Sequence, residues 1–555
     1  MSPRFRVAIL ALGLLTVAHS GPARAEDPLR VRGVIDADQS WAGHVLITGE
    51  TMIDGATVSV AAGTTIEFAV AETDIYPTLT VGSPVHRGGR LELLATSSQP
   101  ITIRTRTGTN AGRIIVYLRG RRPPTSAPTL SGESPAPLAD VQSWRFIRFE
   151  DLGFTTSAPA MMGQVSRLEP AVLFHILEPE TSLTITECTF DKSSSLTIEA
   201  RAVATIAIRT NHFTSPKGRT AIDMAADPES RRSDALRITE NRAAAAIRLR
   251  AGPALIDGNI LIGPDACIVA DDSPAQDVRI TGNYVHNTTK QDDGHYCLNC
   301  ENPDAAIESN ILRGGTACVV SGSRRFKGNI LIAEPELASP AVRRAQTHQL
   351  VAALPAGALF ERNLLIGPAY SMVVPQALTS KKGYAPTDPT LIRNNTFDGL
   401  MGANRAIHIN PAGLPPITLR IENSVFLRIS KLVYDESRKG PSLAYADYNA
   451  AAPTPRRAFD QVSVANFKEG QDGWAAHDLR RDQITDLRLS ALPDRIPDYD
   501  ADMQSGKLTI AALREKLFDA YRPLPDSPLV GAGRTDSGAG APHALTIGCC
   551  EPSKR

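Results

Sequence analysis

The chain has 555 residues, and its 59 basic and 59 acidic side chains give a formal net charge of zero. That balance supplies no bulk attraction to nucleic acid or to an anionic membrane, and an aromatic content of 5% is too low for a base-stacking surface. Gly (41 residues) and Pro (40 residues) are abundant, which suits a turn-rich architecture over a helical one.

The N-terminus reads MSPRFRVAILALGLLTVAHSGPARAED. Arg4 and Arg6 precede a mostly apolar run from Val7 to Ala18, and Ala23-Arg24-Ala25 is a small-x-small cleavage pattern. Residues 1–25 therefore read as a signal peptide removed before Glu26. The apolar run is too short to span a bilayer, and no later stretch is longer. The mature protein is expected to be periplasmic or secreted and monomeric, with no membrane span and no nucleic-acid partner. Further along, RGRRPPTSAPTLSGESPAPL (119–138) is Pro/Ser-rich and reads as a loop.

From residue 211 an asparagine recurs at intervals of 18 to 34 residues: Asn211, Asn241, Asn259, Asn283, Asn310, Asn329, Asn363, Asn395 and Asn423. Most sit between apolar, often β-branched residues, and no helical period separates them. A short-strand unit repeating at roughly 20 to 30 residues means a solenoid. The strand character makes it a parallel β-helix, in which only the two ends have open edges. A buried Asn at the same turn of each coil can bond its neighbours above and below and satisfy backbone groups that would otherwise be orphaned. A sandwich or propeller would need Asn-Gly hairpin signals, which are scarce here.

With these features the sequence resembles the right-handed parallel β-helix superfamily, the pectate-lyase-like group and its periplasmic relatives. Residues 40–69, SWAGHVLITGETMIDGATVSVAAGTTIEFA, are similar to that group's opening coils, with Trp41-Ala42-Gly43 and then Ala62-Gly63-Thr64 leading to Phe68. DYNAAAP (447–453) and AYRPLPDSPLVGAG (520–533) are similar to its closing segment. The resemblance implies an all-β fold, a single-stranded right-handed parallel β-helix over residues 26–430, followed by an irregular tail over 431–555. It leaves function open, because this fold carries lyases, hydrolases, epimerases and binding proteins.

The stretch DDGHYCLNCENPD (292–304) holds Cys297 and Cys300 in a Cys-x-x-Cys pair beside His295. Aligning tetrads from successive coils (221–224, 246–249, 266–269, 296–299 and 317–320) sets Ile222, Ile247, Cys267, Cys297 and Cys318 in one inward stack. The outward positions are then Asp223, Arg248, Ile268, Leu298 and Val319, an apolar middle suited to docking a loop, the tail or a partner. Free cysteines behave as small buried hydrophobes, and Cys188, in ITECTF, stands where other coils have Asn. Cys300 falls in the following turn and is a candidate for pairing with Cys549 or Cys550 if the tail folds back. No metal site is predicted. The nearest approach to one would join Cys297 and Cys300 with His295 or His286, and no second Cys-x-x-Cys or His pair supports it. Glu301 replaces the histidine of a haem attachment signal.

Lyases of this fold work in an outer groove, where one group takes a proton beside a uronate carboxylate and a cation stabilises the developing charge. Glu308, Lys327, Glu361 and Arg393 fall at similar outward positions of successive coils. They form either a solvated salt-bridge ladder or a sugar-binding face. The turn 287–294 projects Lys290, Asp292 and Asp293 beside it, and insertions in solenoids collect on the binding face. Lys290, Asp292, Asp293, Glu308 and Glu361 are therefore substrate-binding candidates, and His295, Lys327 and Arg393 catalytic ones. No cofactor is predicted, and Ca²⁺ is the ion the two aspartates could take; the implied partner is a polysaccharide. The region 334–358 reads as a further insertion. In the tail, Thr509 opens a helix over 509–521 whose apolar side is expected to cover the open end of the solenoid. The two expectations for function are a lyase or epimerase acting on an acidic polysaccharide, and a non-catalytic binding or scaffold protein.

Overall fold

Alternating β-branched and apolar residues produce short strands, and a computed structural model shows how they stack. It describes most of the chain between residues 27 and 552. Outside lie 1–26, 70–76, 107–111, 120–140, 227–235, 271–276, 290–294, 335–348, 377–388, 410–416, 436–442, 453–458, 461–477, 480–485, 535–545, 553–555 and several shorter pieces.

The described residues form an all-β parallel β-helix. Each complete coil gives one strand to each of three faces, and every strand pairs in parallel with its counterparts in neighbouring coils. One coil illustrates the pattern. Val278–Thr281 lies on the first face, Tyr284–Asn287 on the second and Tyr296–Cys300 on the third. Their partners in the next coil are Ala306–Glu308, Ile311–Gly314 and Ala317–Ser321. An antiparallel hairpin, Thr155–Ala160 with Gly163–Leu168, interrupts this order. Coil strands continue beyond residue 430, through Leu443–Asp447 and Ala450–Ala452.

Inside, side chains of one type stack along the axis. Phe149, Phe190 and Phe213 lie 4.5 and 4.6 Å apart, and Phe397 lies 4.9 Å from Phe426, within the range of favourable offset stacking.

The first turn of each coil carries the asparagine ladder. Asn211, Asn241, Asn259, Asn283, Asn310, Asn329, Asn363 and Asn395 are all buried. Each Nδ2 up to Asn363 donates to the Oδ1 of the next rung at 2.9–3.1 Å. Each rung's Oδ1 also accepts the backbone N–H of the previous rung. The residue just before each rung has positive φ, for example Glu240 at 57° and Gly282 at 60°, which turns the chain sharply into the second face. Cys188 occupies the same rung, its N–H donating to Asn211 Oδ1. At the other end Ser424, not Asn423, is the rung: its N–H donates to Asn449 Oδ1 at 3.0 Å. Asn423 is the positive-φ residue before it and bonds the tail at Arg534.

The tetrad alignment of the third face needs correction. Ile222 pairs with Ile247, but Ile247 pairs with Ile268, then Leu298 and Val319. Ile268, Leu298 and Val319 therefore point inward and are fully buried. The outward residues of those coils are Val269, Asn299 and Val320, all half-buried. The slip enters between Ala246–Arg250 and Ile268–Ala270, where Ile247 meets Ile268 and not Cys267, and one residue of slip exchanges the two faces of a strand. Cys267, Cys297 and Cys318 are also buried, so two consecutive residues face the core at this corner and strict alternation fails there. Cys300 ends the strand Tyr296–Cys300 and is itself fully buried. All seven cysteines are free thiols, so no Cys300 disulfide to Cys549 or Cys550 forms. Of the expected insertion at 334–358, residues 335–348 lie outside the described residues, and Gln349–Leu354 is a third-face strand with a register shift between Val351 and Leu354.

The tail holds two helices, α1 (Asp500–Ser505) and α2 (Ile510–Ala520). Thr509 caps α2, accepting the Ala512 N–H at 3.1 Å. They lie along the flank of the solenoid and not over its open end. The second face presents an outward apolar strip, including Ile262, Tyr284, Ile311, Ile330 and Leu364, and the tail buries it beneath Tyr499, Met503, Leu513, Leu517 and Tyr521. Polar pins reinforce this packing. Fully buried Asp398 receives Arg428 Nε at 2.7 Å and Tyr521 OH at 2.7 Å. At the C-terminal end of the coils, Asp478 Oδ1 accepts the Asn449 N–H and serves as a last rung.

Candidate functional site

The outward residues at the end of the first face stand in register: Thr281, Glu308, Lys327, Glu361, Arg393, Glu422 and Asp447. The alignment of Glu308, Lys327, Glu361 and Arg393 expected from sequence is therefore correct, but the row divides in two. Arg393 lies 3.5 Å from Glu361, and Arg362 also approaches Glu361, at 3.9 Å. Glu361 is buried, so this half is an ion-pair cluster. Glu308 and Lys327 make no ion pair among the described residues. They open into a cleft of about 400 Å³ between the turn of the solenoid and α2.

The far wall of this cleft comes from the tail. Arg514, Glu515, Phe518 and Arg522 line it together with Cys549, Cys550, Ser309, Gly328 and Arg362. Arg514, Phe518 and Arg522 recur every four residues and so share one side of the helical stretch. Arg514 donates to the Gly328 carbonyl at 3.1 Å, and its guanidinium stands over the Phe518 ring at 5.0 Å. Gly328 permits this approach: it has φ of +63°, and a Cβ there would meet Arg514 Nη2 at 2.8 Å. Arg522 pairs with Glu515 at 2.5 Å and Asp519 at 2.8 Å. Burial holds the Arg514 pKa below its ordinary value. Four cations and two carboxylates line the cleft, so it suits an anionic ligand, with Phe518 offering an apolar surface beside the charge.

A second cluster joins α1 to the solenoid. His286 Nδ1 lies 2.7 Å from Asp500 and Nε2 lies 3.1 Å from Glu334. Tyr284 OH donates to the other Asp500 oxygen at 2.7 Å, and Arg313 Nε donates to Glu334 at 2.5 Å. Burial opposes the charge on His286, but the hydrogen bonds to Asp500 and Glu334 outweigh it and lift its pKa to about 9. Burial likewise opposes the charge on Glu334, and the bonds from His286 and Arg313 bring its pKa down to about 2. Burial raises Tyr284 above the ordinary phenol range. Ligand atoms of His286, Asp498 and Asp500 lie within 4.8 Å of one another. Both imidazole nitrogens are already engaged, however, and an imidazolium has no lone pair for a metal. This cluster is a closed pin for the tail.

The other residues expected from sequence fall elsewhere. Lys290, Asp292 and Asp293 lie outside the described residues. His295 precedes the third-face strand Tyr296–Cys300 and does not line the cleft; nor does Arg393 or Glu361. Cys297 and Cys300 belong to the core, with Cys297 Sγ donating to the Arg313 carbonyl at 2.9 Å. Among the described residues no group of three metal-ligating side chains includes either. Burial pushes the Cys267 and Cys318 thiols well above their ordinary value, which keeps them unreactive. Sequence reasoning missed Arg362, Arg514, Phe518 and Arg522. The four-residue spacing of the last three was a usable signal, overshadowed by the apolar side of the same helix.

No family model matches the chain, and no curated protein is detectably similar to it. No helix among the described residues is long and apolar enough to cross a membrane.

Proposed function

We propose that this chain is an exported member of the pectate-lyase-like group of β-helix proteins, and that it binds an acidic oligosaccharide in the cleft between solenoid and tail. The observation that carries this reading is Lys327, a cation without an ion-pair partner among the described residues, facing a cleft also lined by Arg362, Arg514 and Phe518. A uronate carboxylate bound there would receive charge-assisted hydrogen bonds, and the apolar face of its ring would lie on Phe518. The solenoid supplies one wall and the tail the other, so the ligand would lie along the ladder turn.

Turnover is the further step of this proposal. Elimination and epimerisation of uronates both begin by removing the proton beside the carboxylate. In the cleft, Glu308 is the solenoid carboxylate available to accept that proton, with Lys327 beside it to stabilise the charge that develops. The competing scaffold reading drew on an outward apolar strip at Ile268, Leu298 and Val319 and on the lack of a convergent acid-base-cation set in the sequence. Those side chains fill the core, and the apolar strip of the second face is already covered by the tail.

Titration calorimetry with oligouronates tests the proposal, with neutral oligosaccharides of equal length as controls and with Ca²⁺ present or absent. Binding is expected for the acidic series alone, weaker at about 1 M than at about 0.15 M salt. Lys327→Ala and Arg514→Ala are each expected to weaken it about tenfold to a hundredfold, the range for losing one charged hydrogen bond. No affinity for any acidic oligosaccharide, or equal affinity in both variants, overturns the assignment. Absorbance of unsaturated uronate in the same samples separates turnover from binding.

A further inference from the structure

Five of the seven cysteines lie in the solenoid core, at most 7% exposed; Cys549 and Cys550 differ. Their sulfurs are 3.1 Å apart, and both residues line the cleft. Their segment is held in place from three directions. Gly548 N–H donates to the Asn423 carbonyl at 2.8 Å, Cys549 N–H donates to Thr396 Oγ1 at 3.2 Å, and Cys550 Sγ reaches the Phe518 carbonyl at 3.5 Å. Arg514 and Arg522 share the cleft with them. Two adjacent thiols in contact, reachable through an open cleft and flanked by cations, are arranged for dithiol chemistry rather than for packing.

We propose that Cys549 and Cys550 are a redox-active vicinal dithiol that closes to a ring disulfide by exchange with a disulfide-bearing oxidant entering through the cleft. Cys549 is the more exposed of the two and attacks first. Its thiolate displaces one half of the oxidant as a thiolate and forms a mixed disulfide. Cys550 is held protonated by its hydrogen bond to Cys549 and by burial; it then gives its proton to the departing thiolate. Its sulfur attacks Cys549 Sγ, closes the ring and expels the second half. Cys549 releases its proton to water at the start and the second departing thiolate takes one back, so two cysteine thiols are oxidised and one external disulfide is reduced to two thiols. The inference does not depend on saccharide binding, since it uses only access through the cleft and the charge of its walls.

Alkylation mapping of the whole purified protein tests it. The protein is equilibrated in glutathione buffers of graded redox poise, acid-quenched, alkylated and digested for mass spectrometry. In oxidising buffer the peptide holding Cys549 and Cys550 is expected to lose two hydrogens and resist alkylation until reduced, while the peptides of Cys188, Cys267, Cys297, Cys300 and Cys318 stay reduced. Phenylarsine oxide, which bridges paired thiols, is expected to bind the reduced protein at one equivalent and the oxidised protein not at all. Cys549→Ser and Cys550→Ser should each abolish that binding while leaving the thermal melt unchanged. The proposal is overturned if both thiols stay alkylatable in the folded, oxidised sample, if either pairs with another cysteine, or if a single variant still captures the arsenical. The wild-type map decides the matter even if a variant fails to fold.

Discussion

Replacing Asn283 by Ala removes one rung from the middle of the ladder, and the structure says what is lost. Asn283 Nδ2 donates to the Ile256 carbonyl at 2.9 Å, to the Thr281 carbonyl at 2.9 Å and to Asn310 Oδ1 at 2.9 Å. Its Oδ1 accepts both the Asn259 N–H at 3.0 Å and Asn259 Nδ2 at 2.9 Å. Asn259 Nδ2 keeps other acceptors, the Ile238 and Asp257 carbonyls. The Asn259 N–H loses its acceptor, and the Ile256 carbonyl loses this donor. Each buried polar group left unsatisfied costs about 1–3 kcal/mol, so the substitution should destabilise the fold by about 2–6 kcal/mol. A water entering the vacated space would recover part of this and bring the value to the lower end. At Ser424 the rung is already weak, since its Oγ accepts the Asn395 N–H at 3.4 Å. Ser424→Ala should therefore cost about 1 kcal/mol.

A solenoid need not unfold in one step, so the assay pairs urea denaturation with hydrogen exchange. The denaturation midpoint should fall well below that of the wild type, and amides of residues 254–263 should lose protection before those of distant coils. Wild-type midpoint and protection in Asn283→Ala would refute the reasoning. Equal losses in Asn283→Ala and Ser424→Ala would refute it as well, because the ladder would then be decoration on a fold held by its core alone.

Two further predictions concern the tail pin and the third face. The His286 pKa is raised from 6.5 to about 9, so its contribution is complete below about 6.5 and disappears as pH climbs through about 9; at most it is about 3 kcal/mol. Glu334, lowered to about 2, contributes above its ordinary value and is lost only as pH falls through about 2. Limited proteolysis of the tail should thus accelerate between about pH 7 and 9, and His286→Gln should remove that dependence; a flat profile in the wild type would argue against the pin. On the third face, Ile268→Asp should destabilise by roughly 3–5 kcal/mol as an unpaired buried charge, and Val269→Asp by less than about 1 kcal/mol. The opposite order would restore the register first read from the sequence.

Much of the architecture was legible because the repeat is chemical as well as geometric. An amide that bonds along the axis must recur once per coil, so Asn241, Asn259, Asn283 and Asn310 announced both the coil and its first turn. The ladder of Glu308, Lys327, Glu361 and Arg393 could be aligned because it lies a fixed distance ahead of those rungs. The third face lies farther from the rungs, beyond turns of variable length, and counting from its first residue failed between Ala246–Arg250 and Ile268–Ala270. Asn423 misled for a related reason: two polar residues in sequence, Asn423 and Ser424, can each fill a turn position, and only the hydrogen bonds separate rung from turn.

The cleft was not legible, because half of it comes from residues nearly two hundred positions away. Arg514 meets the Gly328 carbonyl across 186 residues, a contact that no local period encodes. The apolar side of α2, Leu513 and Leu517, told that the helix must dock somewhere. It did not tell where, since a solenoid offers both an open end and an apolar flank. Burial decides between them: the strip through Ile311, Ile330 and Leu364 is continuous over several coils and packs in one cluster with Leu513 and Leu517. Once the helix lies there, its next stripe, Arg514, Phe518 and Arg522, necessarily faces the ladder turn. A core-packing requirement thus places three tail residues opposite Lys327, and the cleft follows from how the tail is buried.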